Sequence, residues 1–253
     1  MTRVPVTPCR ALLVLVAVLG LVPGVVAARS PLVDELSTLH TQYHRDPGRL
    51  DVVRDGLRRA AAEDPSLEHL IAFAHVSFIW GDVRATAREQ KLAAYDEGRQ
   101  AARRAVALDP RSVVARFWLG SNTARWGQAN GIVRSLFLLP EVKDEMRRVL
   151  ELDPRFAAGY ALNGNVLLEV PGLLGGDVDR AEEMFRKGLA LDPRFTSMRI
   201  GLARSLIKQG RLAEARRELQ AVLQTREPRN PADWTVKDVP RARDLLRSLD
   251  VQS

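Results

Sequence analysis

Ala105-Val106-Ala107-Leu108-Asp109-Pro110, Val149-Leu150-Glu151-Leu152-Asp153-Pro154 and Gly188-Leu189-Ala190-Leu191-Asp192-Pro193 are three versions of one ending, and Ala60-Ala61-Ala62-Glu63-Asp64-Pro65 is a fourth. The prolines at 65, 110, 154 and 193 lie 45, 44 and 39 residues apart. Recurrence at such a period is the mark of stacked supersecondary units. Each ending makes the same physical statement. An apolar helix stops, Asp opens a turn, and Pro cannot continue the old helix but suits the start of the next.

Between the endings the chain reads as helix. From Val178 to Leu191 the residues Ala181, Met184, Phe185, Gly188 and Leu189 fall on one face, with Asp179, Arg180, Glu182, Glu183 and Lys187 elsewhere. Small residues at Ala181 and Gly188 let a neighbouring helix come close. Between Pro193 and Pro228 a unit carries Gly201, Gly210, Ala215, Leu219 and Val222. That spacing fits the tetratricopeptide pattern of about 34 residues, a helix, a tight turn and a second helix packed small against large. No strand-like alternation of useful length occurs. The expected fold is all-α: a tetratricopeptide-like solenoid of helical hairpins, with long insertions inside its repeats and a capping helix at the C-terminal end.

Measured against a period of about 34 residues, the first three units carry about 11, 10 and 5 extra residues. The surplus falls between the two helices of each pair: Trp80 to Gln90, Arg125 to Pro140, and Glu169 to Asp177. Insertions at one place in a repeat gather on one edge of a solenoid, where binding surfaces often form. The second is apolar for a connection, with Ile132, Val133, Leu136, Phe137, Leu138 and Leu139 close together. It reads either as an extra helix covering the core or as a hydrophobic ligand cavity or partner surface. In the third, Gly175 and Gly176 permit a sharp reversal, and Asp177 is placed to N-cap the helix that follows. At the ends, 31–44 and 50–62 make a first helix pair, and Pro228-Arg229-Asn230-Pro231 makes a connection. Asp238 offers an N-cap to a last amphipathic helix, Arg241 to Leu249, which covers the final repeat. The expected division is a leader over 1–28, a repeat domain over 29–228, and a linker with capping helix over 229–253.

The leader is read from charge and hydropathy. Arg3 and Arg10 precede an apolar run from Ala11 to Val22, then Pro23, Gly24 and the small residues before Ala27 and Ala28. That order is a secretory signal peptide with cleavage near Ala27 or Ala28, so an exported, periplasmic protein is expected. A retained membrane anchor fits less well, since the run is shorter than the roughly 20 residues a spanning helix needs. The single cysteine, Cys9, precedes the run, so cleavage removes the only thiol, and with it any disulfide or thiolate metal site. The formal charge of +7 falls to about +5 without Arg3 and Arg10. Basic residues are interleaved with acids, as in Glu214-Ala215-Arg216-Arg217-Glu218, and no basic stripe with aromatics appears; nucleic acid is not an expected partner.

Catalytic signatures are scarce. His40 and His44 have the i, i+4 spacing of two metal ligands, but no Glu follows His40 as in zinc proteases and no third ligand is visible. Gly172 to Gly176 lacks the Lys-Ser/Thr of a phosphate loop, and no Gly-x-Ser-x-Gly elbow occurs. Neither an enzyme, a cofactor nor a metal site is expected.

Two stretches, Arg125-Trp126-Gly127 running to Arg134-Ser135-Leu136-Phe137-Leu138-Leu139-Pro140, and Pro171-Gly172-Leu173-Leu174-Gly175-Gly176-Asp177 leading into Ala181 and Phe185, resemble the T-component family of tripartite ATP-independent periplasmic (TRAP) transporters. The resemblance spans about residues 31 to 225. It implies a periplasmic helical protein that associates with the substrate-binding component of such a transporter, either alone or as a homo-oligomer with a ligand path. Family members often carry a lipid-anchoring cysteine, which this sequence lacks, so membrane tethering stays open. On this reading Trp126, Asn130, Arg134 and Phe137, with Leu173 and Leu174, make the binding site: apolar groups supply desolvation and Arg134 pairs with a carboxylate of a small solute. The alternative is an envelope scaffold that holds a peptide segment in its concave groove. There Asn122, Asn130, Asn163 and Asn165 matter, because an amide both donates to and accepts from a peptide backbone. An internal hydrogen bond is the plainer account of the same asparagines.

Overall fold

The computed structural model describes residues 30–251, so the expected leader lies outside the described residues. The described chain is helical, with no strand. Five hairpins follow one another: α1 (Pro31–Gln42) with α2 (Arg49–Glu63), α3 (Leu67–Val83) with α4 (Arg88–Leu108), α5 (Val113–Asn130) with α6 (Ile132–Leu152), α7 (Ala157–Glu169) with α8 (Val178–Leu191), and α9 (Thr196–Lys208) with α10 (Leu212–Gln224). A single turn, α11 (Pro231–Asp233), runs through a π turn (Trp234–Asp238) into α12 (Val239–Val251).

The recurrent Asp-Pro has a uniform geometry. Asp64, Asp109, Asp153 and Asp192 each leave the helix in an extended conformation while their N–H still bonds to the carbonyl four residues back. In the last three, Oδ1 then accepts from the N–H two residues on, at Arg111 (2.9 Å), Arg155 (2.9 Å) and Arg194 (3.0 Å). The aspartate thus closes an Asx turn over a proline that has no N–H to offer. Ser66, Ser112 and Asp177 cap the helices that follow them through side-chain oxygens.

Glycines set the spacing between helices. The ring of Phe185, fully buried, lies against Gly164 of α7 and Gly201 of α9, and a Cβ on either would collide with it. Ala181 and Gly188 are buried on the same face of α8. Two clusters of buried side chains result, one from α1 to α5 and one from α7 to α12. Val142, Met146 and Val149 of α6 are buried between them.

The insertions take a form the sequence left open. In the first two long hairpins the surplus becomes extra helical turns. Helices α3, α4, α5 and α6 run 17, 21, 18 and 21 residues, against 13 each for α9 and α10. The stretch 125–140 is therefore not a separate helix added to the pair. It is the projecting end of one hairpin, turned at Gly131 with φ 106°. Only the third surplus remains a loop, with a 3-10 turn at Gly172–Leu174. Its chain reversal requires Gly175 at φ 85°, and it leaves no room for a Cβ on Gly176 against the Val170 carbonyl.

The C-terminal cap is as expected in one respect and different in another. Helix α12 packs on α10 and buries Ala242 and Leu249. Asp238, however, is not its N-cap. It sits buried in the π turn and accepts from the Thr196 hydroxyl at 2.6 Å. The stretch before it is no free linker either. Residues 229–238 run back across the array to its first helix: Ala232 is fully buried in the N-terminal cluster, and the Tyr43 hydroxyl donates to Asp233 at 2.7 Å. The two ends of the array touch.

Candidate interaction surface

The connections inside successive hairpins are tied to one another along one edge. Arg88, opening α4, donates to the carbonyls of Ala129 (2.8 Å) and Asn130 (3.2 Å) at the tip of the next hairpin. Lys143 of α6 donates to the Gly175 carbonyl (3.1 Å) in the loop beyond. Gln209 reaches Asp179 (2.8 Å) and Lys208 the Leu168 carbonyl (2.6 Å) one unit further on.

This edge carries most of the residues singled out in the sequence. At the α5–α6 tip the half-buried Trp126 ring has guanidinium groups over it, Arg99 at 4.6 Å and Arg134 at 5.2 Å. Each such contact is worth about 0.5–1 kcal/mol at an exposed site. The Trp126 carbonyl accepts from the Asn130 amide at 3.0 Å. Ile132, Val133 and Phe137 are 79, 70 and 76% exposed, Leu173 is fully exposed and Leu174 nearly half so. Large apolar side chains this bare are worth a reason, and here they stand on the connections of two successive hairpins. No acidic residue occurs from Arg125 to Pro140 or from Val170 to Gly176.

The asparagines separate. Asn122 is fully buried, its amide donating to the carbonyls of Ala74 (3.2 Å) and Trp118 (2.9 Å). It ties α5 to α3 and meets no solvent. Asn163 is half-buried on α7, with its amide 3.8 Å from the Met184 sulfur, and it lines a cleft of about 530 Å3 between α6 and α8. Asn165 is exposed.

A polar network that sequence reading did not find lies where the C-terminal segment meets the hairpins. Asp82 of α3 accepts from Tyr95 (2.7 Å), from Arg125 (3.1 Å) and from Lys237 of the π turn (3.2 Å). Lys237 also pairs with Asp233 at 2.9 Å. Burial would raise the Asp82 carboxyl, but the charges of Arg125 and Lys237 and the Tyr95 hydroxyl outweigh it and hold it below the usual carboxylate range. Asn230 fastens the segment as well, its amide donating to the His40 carbonyl at 3.1 Å and its Oδ1 capping Asp233. The local signal was present in Asn230-Pro231-Ala232-Asp233, a cap before a helix-opening proline. The remote contacts had none. The His40 ring lies 5.3 Å from that of His75, which stacks on Trp118 at 4.2 Å. Among the described residues no three His, Cys, Asp or Glu side chains gather as metal ligands do.

Asp238 behaves in the opposite sense to Asp82. Burial pushes its carboxyl up to about 6, Asp233 adds to this, and the Thr196 hydroxyl and Lys237 only partly offset it. For an acid whose folded value exceeds its unfolded one, the stability present near pH 4 is lost as pH rises through about 6. Asp238→Asn removes that loss while keeping an acceptor for Thr196. Above pH 7 it is expected to stabilise on the order of 3 kcal/mol relative to wild type, and at pH 4 hardly at all. Urea unfolding of both proteins across pH 4–8 reads the difference, and a gap that does not change with pH refutes it.

The comparisons with known proteins agree with this architecture. A tetratricopeptide repeat family model matches residues 173–232. No curated protein matches the chain. Among solved structures, a thermophilic tetratricopeptide protein of Thermus thermophilus, TTC0263, is similar at 24% identity and TM-score 0.62, over 85% of this chain and 99% of that one. MamA residues 41 to the end from Desulfovibrio magneticus RS-1 give 15% identity and TM-score 0.49, over 78% and 97%. Identity this low speaks to fold alone. With its repeated Asp-Pro hairpins and small-against-large packing, the chain has the fold of a tetratricopeptide-type helical solenoid.

Proposed function

We propose that this protein is an exported scaffold that binds another protein along the edge formed by the α5–α6 tip and the 171–175 loop. The observation that carries the reading is the exposure of Ile132, Val133, Phe137, Leu173 and Leu174 on the acid-free connections of two successive hairpins. Large apolar side chains exposed on the connections of a repeat array are characteristic of a partner surface. The faces of α1, α3 and α9 that meet residues 229–238 are already covered by the chain itself. That favours the outer edge over a peptide in an inner groove.

The more specific reading is that the partner is the substrate-binding component of a TRAP-type transporter. Its support is positional: the stretches 125–140 and 171–177 that carry the resemblance are the ones that form the bare edge.

The test is capture of partners from the native envelope after cross-linking, with wild type and a Phe137→Ser, Leu173→Ser variant. Both side chains are exposed, so the variant is expected to melt as wild type does while partner recovery falls at least about tenfold, equivalent to about 1.4 kcal/mol of binding energy. Undiminished capture overturns the edge as the binding surface. Recovery of a partner other than a solute-binding protein overturns the transporter reading and leaves the scaffold.

A further inference from the structure

The cleft between α6 and α8 is chemically distinct from the bare edge beside it. Its floor is one face of α7, where Tyr160, Asn163 and Leu167 stand at i, i+3 and i+7, continued by Met184 of α8. Tyr160 is held in place by donating its hydroxyl to the Pro154 carbonyl at 2.9 Å. The walls are cationic: Lys143 and Arg147 from α6, Arg180 and Lys187 from α8, against one lining acid, Glu151.

These cations are not equivalent. Arg147 is already neutralised between Asp144 and Glu151, and Lys187 is paired with Glu183 at 2.6 Å. Lys143 and Arg180 have no ion-pair partner among the described residues. The Lys143 ammonium rests on carbonyls, Gly175 at 3.1 Å and Leu174 at 3.5 Å. The Asn163 amide donates only to a thioether, a weak acceptor that it would readily exchange for a better one. Facing walls with one unpaired cation each, an under-used amide and an apolar floor call for a group that is both anionic and flanked by apolar surface.

We propose that this cleft binds an acidic segment of the partner, with an Asp or Glu carboxylate between Lys143 and Arg180 and a neighbouring apolar side chain on Leu167 and Met184. The proposal rests on the scaffold reading and names the chemistry that the edge alone leaves unspecified. A peptide suits the site better than a small free acid for two reasons. The volume of about 530 Å3 exceeds what one carboxylate fills. The loop holding the bare Leu173 and Leu174 borders it through Lys143, so a chain seated in the cleft continues naturally onto the apolar edge. Charge complementarity of this type sets orientation and register as well as affinity.

The experiment uses the mature protein and a fluorescein-labelled peptide, Gly-Glu-Leu-Glu-Leu-Gly, followed by anisotropy in low salt. Saturable binding is expected, at least about tenfold weaker for the peptide with Gln in place of both Glu residues, equivalent to about 1.4 kcal/mol. Lys143→Glu with Arg180→Glu is expected to abolish binding while the thermal melt is unchanged; Asn163→Ala is expected to weaken it severalfold. The Phe137→Ser, Leu173→Ser protein still binds this short probe. No binding by wild type, equal binding of the Gln peptide, or full binding by the double charge reversal overturns the proposal, and so does equal competition by free succinate, which would make the site one for a small solute. The two readings fail separately: peptide binding without any captured partner defeats the scaffold, and a captured partner with no peptide binding defeats only the cleft.

Discussion

Phe185→Ala is expected to lower the free energy of unfolding by about 5 kcal/mol, the upper end of the range for removing a buried aromatic ring. The reason is what surrounds the ring. Phe185 is fully buried, and Gly164 of α7 and Gly201 of α9 come so close that neither could carry a Cβ beside it. A cavity lined by side chains can partly collapse by rotamer changes. One walled by glycine backbone cannot, because closing it means moving whole helices. The same geometry makes a sharper test by reversal of sign. Gly201→Ala destabilises the wild type, since its methyl meets the ring, but in the Phe185→Ala background it fills part of the vacated space and is neutral or stabilising. Urea unfolding of the four proteins of this cycle decides the matter. A loss under about 2 kcal/mol for Phe185→Ala, or the same sign for Gly201→Ala in both backgrounds, shows that the three helices are not keyed together by this ring.

The second large effect is expected at Asp82. Its carboxylate, shielded from water, joins Tyr95 of α4, Arg125 of α5 and Lys237 of the C-terminal segment. Asp82→Ala leaves two cations facing each other without their shared anion, and the penalty for breaking a buried pair from one side is about 3–5 kcal/mol. Lys237 keeps Asp233, and Arg125 keeps access to water with 43% of its side chain exposed, so about 3 kcal/mol is the expected figure. The pH dependence identifies the mechanism. Because the folded carboxyl titrates below its unfolded value, its contribution is present above about pH 4 and is lost as pH falls through the folded value. Wild type and Asp82→Ala are therefore expected to converge in stability on strong acidification and to differ most near neutrality. Lys237→Met leaves Asp82 paired with Arg125 and is expected to cost less. Equal losses in the two variants would mean that the contact with the C-terminal segment, not the shared anion, holds the site.

Both variants bear on how far the sequence can be read. The hairpins, their order and the capping of α8 by Asp177 follow from local chemistry: an apolar helical face, an Asx turn before proline, an oxygen three residues ahead of a free N–H. Phe185 and Gly201 were visible as large and small residues of helical segments, whereas Gly164 was not. The site residues divided by the same criterion. Phe137, Leu173 and Leu174 stood out as apolar residues in connections, and the structure does place them in solvent. The lengthening of α3 to α6 was not legible, because an amphipathic insertion continues a helix as well as it builds a new one. Nor was the destination of Asp82, Lys237 or Asp238. Each is an ordinary charged residue in a helical stretch, and its role depends on a partner from 42 to 155 positions away. The cleft escaped notice for a related reason: Lys143 and Arg180 become a pair only once α6 and α8 flank α7.

The meeting of the two ends has a consequence for how the molecule folds. In an open array each unit touches only its neighbours, so terminal hairpins fray independently and a folding nucleus can spread from anywhere. Here the Tyr43–Asp233 bond joins positions 190 residues apart, and Ala232 completes the interior of the first units. The last stretch of chain therefore cannot settle until the first is in place, and the first is not sealed until the last arrives. Contacts of such long sequence separation slow the final ordering, yet the loop they close adds only a logarithmic entropy cost. Among the described residues the first and last units of the array are thus tied to each other, and their amide hydrogens are expected to exchange more slowly than those of the terminal hairpins of an open array, which hydrogen exchange reads directly.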